Sequence, residues 1–489
     1  MTDRRRALLL AGIGLAGSYA AAGPTARFVV TPVQSLVVAA TPGAVITLAI
    51  QTLGTASEWL ALGVAAGLAV GWLAAAAWLG LQVGRRTGDR AGVALAVYLA
   101  GWTATAGLLR SPFWSLAAAV PMGIGAGLLE SHRGVDPDRP PSPSRRRRRL
   151  LGTLAKLAGL GGLALLAGGR RFEAAESPLQ AIPAEERAVI ETRLRSARAT
   201  GADIDGLGEP VSPVDGFYEV DIDTIDPDVD AAGWQLRVTG AVAEPLTLDY
   251  GDVVSMDPHH RLETLRCVGD PLNGELMDTA LWTGVPVGRL LDRAGPRGRH
   301  VMLRAADDYY EEFPLAALDR GLLAYGMNGR LLPRDHGYPV RALVPGHWGE
   351  INVKWLTEIE VLDREARGFW ERRGWHGTGP VNTVAKLWTE NRLPDGRLQV
   401  GGYAYAGTRG IRRVEVSVDG GETWTDATLG EPLPGPDVWR QWHHEWTPTA
   451  DATVVIVRAV DGEGDLQPRE DSQPYPNGAS GWVRRTVRP

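Results

Sequence analysis

Residues 323–341 read LAYGMNGRLLPRDHGYPVR, and the second half of this stretch gathers Arg334, His336 and Arg341 among prolines and glycines. That composition predicts a loop rather than a helix or a strand. Lys354 follows shortly after it. Arg, Lys and His side chains on loops bind phosphate and other anions through charge-assisted hydrogen bonds. The stretch therefore predicts an anion-binding loop, and the alternative is a solvated loop with a surface ion pair.

The only cysteine of the chain is Cys267, which follows a strand-like stretch and precedes a turn. One cysteine excludes an intrachain disulfide, a cysteine-based zinc site, a chain-borne iron–sulfur cluster and c-type haem. A lone cysteine is usually a small buried hydrophobe. Here the neighbouring Arg266 is expected to favour the thiolate. A thiolate suits either nucleophilic catalysis or ligation of a soft metal.

The charge of the chain is split between its two parts. Its 489 residues suffice for about three domains. Apolar residues make up 44% and charged residues 22%, which excludes a wholly disordered chain. Residues 1–169 hold 16 Lys/Arg and 6 Asp/Glu, whereas the remainder holds 35 and 51. The acidic second part argues against a nucleic-acid partner.

The basic first part, residues 1–170, predicts an all-α transmembrane bundle of about five helices, because each of its apolar runs approaches the roughly 20 residues that span a bilayer. The segment 28–54 is also apolar but is broken by prolines, and we expect 24–58 to form an external loop. With five spans the three basic clusters lie in the cytoplasm, as the positive-inside rule requires, and residues 170–489 lie outside. The five runs are 7–23, 59–83, 91–109, 112–130 and 150–169.

Two further features concern export and electron transfer. Ser144 and the arginines at 145–149 resemble a twin-arginine export signal, and the alternative is a cytoplasmic charge anchor. None of the nine histidines falls within a predicted span, so we expect no haem on this chain. Electrons that cross the membrane then need a quinone or a separate electron-carrier subunit.

The rest of the chain predicts a linker and two domains. Residues 171–212 are polar, with a helical stretch at 185–198, and we interpret them as a linker. Residues 213–382 alternate short strands and helices without a βαβ rhythm, which favours a mixed α+β domain. Residues 383–489 contain strand patterns at 397–404, 411–418 and 453–460, which favour an immunoglobulin-like β-sandwich. The fold class is therefore multi-domain.

Residues 213–489 resemble the sulfite oxidase family of molybdopterin enzymes. The resemblance covers over half of the chain. The matching stretches are long enough to be specific, and they comprise 323–341, 344–346 (VPG), 353–355 (VKW), 265–267 (LRC), 280–286 (ALWTGVP) and 414–424, the last in the domain by which the family dimerises.

The resemblance implies a molybdenum cofactor and its binding residues. Cys267 gives its thiolate to the metal, and the dithiolene of the pterin supplies two further sulfurs. His336, Arg341 and Lys354 hold the pterin and its phosphate. The remaining implied contacts come from Asp307, from the backbone of Asn352, Val353 and Lys354, and from Tyr218 and Glu219, whose segment resembles the periplasmic methionine sulfoxide reductase branch. A homodimer is also implied.

Two departures from the family concern the substrate pocket. Trp375 stands where the family has a tyrosine, and Leu272 stands where it has an arginine. A pocket with fewer cations binds a sulfite dianion poorly. We therefore expect oxygen-atom transfer on a small neutral substrate such as a sulfoxide or N-oxide, with Trp375 and Arg266 as catalytic residues beside Cys267. The alternatives are sulfite oxidation in a rearranged anion pocket and a non-catalytic membrane scaffold on an inherited fold.

Overall fold

The structure is a computed structural model that describes residues 2–23, 25, 27–53, 56–130, 184–222, 224–448 and 453–488. It divides into two compact units, and each is described by itself. The first unit takes in 1–41, 52–177 and 221–228, and the second takes in 42–51, 178–220 and 229–489. The predicted span at 150–169 and the twin-arginine-like segment lie outside the described residues.

The first unit is helical. Within residues 2–130 the described chain forms α1 (Asp3–Ala22), α2 (Thr31–Ala40), α3 (Gly43–Leu53), α4 (Ala56–Gly84), α5 (Arg90–Leu109) and α6 (Leu116–Glu130). Helices α1, α4, α5 and α6 pack against one another around Leu10, Leu73, Val97 and Met122. Small residues let these backbones approach closely: a Cβ built on Gly80 would lie only 2.6 Å from the Cα of Val97. Such contacts are frequent between helices in membranes.

Two stretches of this unit are long and apolar enough to cross a membrane, Trp59–Thr87 and Arg90–Leu109. Both carry mostly exposed apolar side chains, since only 22% of the most apolar window of each is buried. They coincide with the predicted runs 59–83 and 91–109. The runs 7–23 and 112–130 correspond to α1 and α6, of which α6 has only 15 residues.

The expectation of an external loop over 24–58 needs correction, because this segment contains α2 and α3. The prolines do not break these helices but stand where helices begin. Pro32 lies in the first turn of α2, and Pro42 immediately precedes α3. A proline in the first turn removes only an N–H that has no partner within the helix.

In the second unit, residues 42–51 hold most of α3, and α7 (Ala184–Arg198) follows, with its Ile190 and Leu194 buried in the unit's main core. This helix falls within the segment that we expected to be a linker. Further short helices are α8 (Tyr250–Val254), α9 (Gly288–Ala294) and α10 (Leu315–Leu318). The helix predicted at 185–198 is thus present, and it packs rather than merely connects.

Two sheets, the first mixed and the second wholly antiparallel, build the part of this unit up to residue 362. The first has the order β2-β1-β10-β5-β6, with β1 and β10 parallel and the other pairs antiparallel. The second has the order β3-β4-β7-β8, with β9 also paired to β7. The strands are β1 (Gln235–Gly240), β2 (Leu246–Asp249), β3 (His259–Arg266), β4 (Met277–Pro286), β5 (His300–Ala305), β6 (Tyr310–Pro314), β7 (Leu322–Met327), β8 (Arg330–Leu331), β9 (Arg341–Leu343) and β10 (Leu356–Leu362).

The C-terminal part consists of two four-stranded antiparallel sheets with the orders β11-β12-β16-β15 and β14-β13-β17-β18. Leu387, Val400 and Trp442 of the first sheet share one apolar core with Val414 and Val457 of the second. The strand patterns predicted at 397–404, 411–418 and 453–460 are confirmed as β12, β13 and β17. The strands are β11 (Val384–Arg392), β12 (Leu398–Tyr405), β13 (Ile411–Ser417), β14 (Thr425–Asp426), β15 (Thr428–Leu429), β16 (Arg440–Trp446), β17 (Thr453–Asp461) and β18 (Val483–Val487).

Candidate active site

Cys267 lies immediately after β3 in a tight loop. Its N–H donates to Leu276 O (3.0 Å), its own carbonyl accepts from Asp270 N (3.1 Å), and Gly269 N lies 3.4 Å from its Sγ. Burial raises the pKa of the thiol to about 12, although the Gly269 N–H and the Arg266 charge act in the opposite direction. The thiol is therefore protonated at neutral pH until a bound metal removes its proton.

Arg266 is held beside the cysteine by other partners. Its side chain is completely buried, and its Nε donates to Asp270 Oδ2 (3.2 Å) while Nη1 donates to Asn382 O (3.1 Å). The guanidinium also lies 5.0 Å from the ring centre of Trp348. Its charge lowers the pKa of the thiol, as we expected, but burial raises that pKa more. A catalytic role for Arg266 stays a prediction.

Lys386 completes a buried charge cluster below the cysteine loop. It lies on β11, its side chain is fully buried, and its Nζ contacts both Asp270 Oδ2 and Gly274 O, the latter at 2.6 Å. Burial lowers the pKa of Lys386 to about 8, against the opposing effect of Asp270. The other oxygen of Asp270 accepts from Leu276 N (3.1 Å). Asp270 therefore contacts the two buried cations Arg266 and Lys386 and also accepts from Leu276 at the far end of the cysteine loop.

A second group of cations lines the loop predicted from 323–341. Arg341 is buried and donates from Nη1 to His336 O (3.1 Å) and from Nη2 to Asn352 O (3.0 Å). Lys354 donates from Nζ to Asp335 O (2.6 Å). Gly337, with φ +106°, leaves no room for a side chain, since a Cβ there would lie about 3 Å from the Cβ atoms of Arg341 and Lys354. The burial of Arg341 argues against a fully solvated loop, whereas Lys354 is half-buried.

His336 is positioned in this group but contributes no charge. Burial lowers its pKa to about 4, so the ring is neutral at physiological pH. Its Nε2 lies 3.2 Å from Val214 O and donates to that carbonyl, and its ring meets Phe217 edge to face at 5.5 Å. Arg341 and Lys354 therefore carry the charge of this group, and the expectation that His336 holds the pterin stays a prediction.

Asn352 and Val353 take part through their backbone. The side chain of Asn352 is fully used, because its Oδ1 accepts from Val344 N (2.7 Å) and its Nδ2 donates to Trp348 O (2.9 Å). Val353 is 1% exposed and accepts from Ala342 N (2.8 Å). Both residues therefore fix the strip that carries Lys354.

The remaining expected cofactor contacts border the same region. The ring of Tyr218 stacks on Phe217 at 5.5 Å, and a Cβ built on Gly349 would lie 2.9 Å from the Tyr218 hydroxyl. Glu219 is exposed, and one of its oxygens lies within 4.8 Å of polar atoms of Asp335 and His336. Asp307 lies in the turn between β5 and β6, where the adjacent Ala306 N donates to Trp355 O (3.0 Å).

Trp375 stands beside the cysteine, as we expected. A Cβ built on Gly269 would lie 3.6 Å from the Sγ of Cys267 and 3.9 Å from the Trp375 ring. The indole is 5% exposed and meets the rings of Tyr475 and Trp370 edge to face at 5.3 and 6.2 Å. In the described part of the chain its Nε1 has no hydrogen-bond partner.

Two buried glutamates and a half-buried one near this aromatic wall escaped the sequence analysis. Glu311 is on β6, Glu350 is in the turn after Trp348, and Glu371 follows Trp370. Burial raises the pKa of Glu311 and of Glu350 well above the usual range, and the nearby Glu371 carboxyl adds to both shifts. A sequence signal existed only for Glu350, an acidic residue within the otherwise apolar and glycine-rich stretch 344–355.

These residues fit the cofactor that the resemblance implies. A buried Arg341, a half-buried Lys354 and a glycine without room for a Cβ lie at 337–354, where a phosphate needs charge and donors. A single partly exposed thiol lies at Cys267. The segment at 217–218 connects the two regions, because Phe217 contacts His336 and the Tyr218 hydroxyl approaches Gly349. One thiol is what a metal already held by two dithiolene sulfurs requires.

In a comparison with known proteins, both sheet-rich parts of the second unit match a family model. Residues 223–370 match the family model "Oxidoreductase molybdopterin binding domain", and residues 381–476 match "Mo-co oxidoreductase dimerisation domain". Mitochondrial sulfite oxidase from Mus musculus is 32% identical over 298 residues, which cover 50% of this chain and 54% of that protein. The chain thus spans about half the length of this curated relative.

Other relatives agree. Sulfite oxidase from Arabidopsis thaliana is 29% identical over 325 residues, covering 53% of this chain and 82% of that protein. The solved sulfane dehydrogenase SoxCD from Paracoccus pantotrophus shares the fold with a TM-score of 0.50 and 23% identity, over 58% of this chain and 82% of that chain. Molybdopterin is therefore the cofactor that these domains bind. The chain belongs to the sulfite oxidase family of molybdopterin-dependent oxidoreductases.

Proposed function

We propose that this protein is a membrane-anchored, extracytoplasmic molybdenum oxidoreductase that transfers an oxygen atom to or from a small neutral substrate of the sulfoxide or N-oxide type. The observation that carries this proposal is the wall beside Cys267, which is formed by Trp375, Trp370 and Tyr475. An aromatic wall binds uncharged organic groups and gives an anion no charge to pair with.

The cations nearest to the cysteine do not compensate for this wall. Arg266 and Lys386 are both bound to Asp270 and fully buried. Leu272, at the position of an expected arginine, packs against the apolar cores of both domains.

Each group of residues then has a definite task. When bound, molybdenum supplies the two-electron redox chemistry. Cys267 anchors the metal, and Asp270 holds the cysteine loop through its contacts with Leu276 and the buried cations. Arg341 and Lys354 bind the pterin phosphate, while Trp375 excludes water and orients the substrate.

The membrane assignment is supported by the ends of the helices. Asp3 at the start of α1 pairs with Arg85 after α4, and Arg6 pairs with Glu130 at the end of α6 (2.8 Å). The basic clusters at 4–6 and 85–90 therefore lie at one end of the bundle, which the positive-inside rule assigns to the cytoplasm. With a fifth span at 150–169, the catalytic part lies outside and the protein is multi-pass.

We further propose the domain division 1–170, 171–212, 213–382 and 383–489, with the last domain an immunoglobulin-like sandwich that forms a homodimer. The match of residues 381–476 to a dimerisation domain supports the dimer. Electrons pass to or from a quinone or a separate electron-carrier subunit, because the lone cysteine excludes an iron–sulfur cluster on this chain.

The second candidate is sulfite oxidation in a rearranged pocket, which the names of the curated relatives favour. A non-catalytic scaffold does not explain why Arg341 and Lys354 both lie next to Gly337, where a side chain has no room. One experiment separates the three: the purified protein is reduced with dithionite, desalted, and mixed with dimethyl sulfoxide or methionine sulfoxide while the cofactor spectrum is followed. Reoxidation supports the proposal. Reduction of the oxidised protein by sulfite instead, without reoxidation by sulfoxides, supports the second candidate.

A further inference from the structure

Helix α3 is an apolar helix that is too short to cross a membrane. It has 11 residues, and its sequence GAVITLAIQTL contains no charged residue. At 1.5 Å per residue it is about 16 Å long, roughly half of the hydrocarbon thickness of a bilayer. Val45, Leu48 and Leu53 are nevertheless 53%, 60% and 46% exposed. Neighbouring exposed apolar residues of this kind mark a surface that contacts another protein or a membrane.

The opposite side of α3 contacts the catalytic part of the second unit. Gly43 is buried, and a Cβ built on it would overlap Arg373 O and would lie 3.0 Å from Arg373 Cβ, so only a glycine allows this approach. Val45 and Leu48 lie about 200° and 140° around the helix from Gly43, because successive residues are about 100° apart. The exposed apolar residues of α3 therefore face away from the turn at 371–373.

The turn that contacts α3 ends a segment rich in arginine and aromatic residues. Residues 364–373 read REARGFWERR and hold four arginines against two glutamates, whereas the second part of the chain has an acidic excess. Arg364, Arg367 and Arg372 are exposed. At a bilayer surface, cationic side chains are attracted to anionic lipids, and Trp rings lie at the level of the headgroups. The composition of this segment thus indicates a membrane surface as its partner.

The order of the helices is consistent with α3 at the outer surface of the membrane. Asp3 and Arg85 form an ion pair, so the start of α1 and the end of α4 lie together. In the proposed topology α1 and α4 each cross the membrane once, which puts the end of α1 and the start of α4 at the other side. Helices α2 and α3 connect these two points along the chain. That side is the extracytoplasmic one, to which the proposed topology assigns the catalytic part.

We propose that α3 and the segment 364–373 form one membrane-binding surface of the catalytic part, with Val45 and Leu48 at the edge of the hydrocarbon and the exposed arginines on lipid phosphates. An interfacial helix inserts its apolar face by about 5–10 Å. The inference rests on the membrane anchoring in the proposed function and adds that the catalytic part itself binds the bilayer. Trp370 belongs to this segment and Trp375 follows it by two residues, so the wall beside Cys267 stands next to the membrane surface.

Nitroxide labels on single introduced cysteines test this surface in the full-length, cofactor-loaded protein, reconstituted in nanodiscs of phosphatidylcholine and phosphatidylglycerol. Collisions with oxygen report lipid, and collisions with a nickel chelate report water. We expect Leu48→Cys to be accessible to oxygen and shielded from nickel, and Arg367→Cys to be intermediate. Leu79→Cys, at a position 55% exposed on α4, is the control for lipid, and Glu422→Cys, at an exposed turn, is the control for water. Wild type treated in the same way corrects for any label on Cys267.

The controls separate failure of this inference from failure of the membrane anchoring. Nickel accessibility at Leu48→Cys equal to that at Glu422→Cys, with Leu79→Cys shielded, overturns the inference and leaves the anchoring standing. Low accessibility of Leu48→Cys to both reagents also overturns it, because a second copy or another protein then covers α3. Nickel accessibility at Leu79→Cys overturns both.

A pair of substitutions tests whether α3 holds the arginine-rich segment at the bilayer. Val45→Lys together with Leu48→Lys places two charges at the edge of the hydrocarbon, where they are costly. At equal molybdenum content, the label at Arg367→Cys should then gain nickel accessibility and approach the value at Glu422→Cys. The matched control is Val454→Lys, which changes an apolar residue of β17 that is 44% exposed and should leave the label unaffected. An unchanged label in the double lysine variant overturns the role of α3.

Discussion

Asp270→Asn is the substitution that most directly tests how the cysteine loop is held. Asp270 is the anion between the buried cations Arg266 and Lys386, and its second oxygen accepts from Leu276 N. The amide leaves both cations buried without a counter-charge and turns an NH₂ group towards one of them. The loop that carries Cys267 then loses the contact that closes it.

The expected cost follows from the burial of the cluster. All three side chains are fully buried, so solvent screens none of the charges. Removing one partner from such a cluster costs about 3–5 kcal/mol, because a charge stays behind unpaired. For domains of 150–250 residues each kcal/mol lowers the melting temperature by about 2–4 °C, so we expect a fall of roughly 6 °C or more.

The assay is thermal unfolding of the full-length protein in detergent at pH 7, with molybdenum content measured in parallel. Lys386→Met is the matched control, because it removes a cation whose burial is already unfavourable and leaves the Arg266–Asp270 pair intact. We expect a smaller loss of stability and a wild-type metal content in this control. A loss below about 1 kcal/mol in Asp270→Asn, or one no larger than in Lys386→Met, would refute the reasoning.

Three further predictions follow from the site. The folded-state pKa of Lys386, about 8, lies below its ordinary value of 10.5, so between these pH values the unfolded chain binds more protons than the folded one. The stability of the wild type relative to Lys386→Met should therefore rise as pH increases from about 8 to about 10.5. A decline of this difference in unfolding scans would contradict the prediction. Lys354→Gln should lower pterin affinity about tenfold or more in titrations of the cofactor-free protein, since it removes a charge-assisted contact; unchanged affinity would remove Lys354 from the phosphate site. Trp375→Tyr should change kcat/KM for sulfoxides and leave metal content unaltered, and a loss of metal with unchanged kcat/KM per metal would make Trp375 purely structural.

The parts of the fold that the sequence predicted are those with local signals. Strands β12, β13 and β17 follow from runs of residues that favour strands, and α7 follows from its polar helical composition. The anion-binding strip and Cys267 were recognisable because their residues are close together in the chain. Trp375 was placed beside Cys267 by the resemblance alone.

The parts that it did not predict depend on contacts between distant residues. Lys386 and Asp270 are separated by 116 positions, and nothing local indicates that a lysine on β11 faces the cysteine loop. Because glutamate is usually exposed, the burial of Glu311 and Glu350 near Glu371 was not foreseeable from composition. The helices α2 and α3 were missed because a proline was taken as a break, whereas here it marks a helix start.

Molybdenum and pterin content per chain, measured in the purified wild type beside Cys267→Ser, tests the central claim most directly. We predict near-stoichiometric metal and pterin in the wild type and an altered metal spectrum in Cys267→Ser, because the one thiol of the chain is the protein ligand. A wild type that contains no molybdenum, although its host makes the cofactor, would contradict the claim.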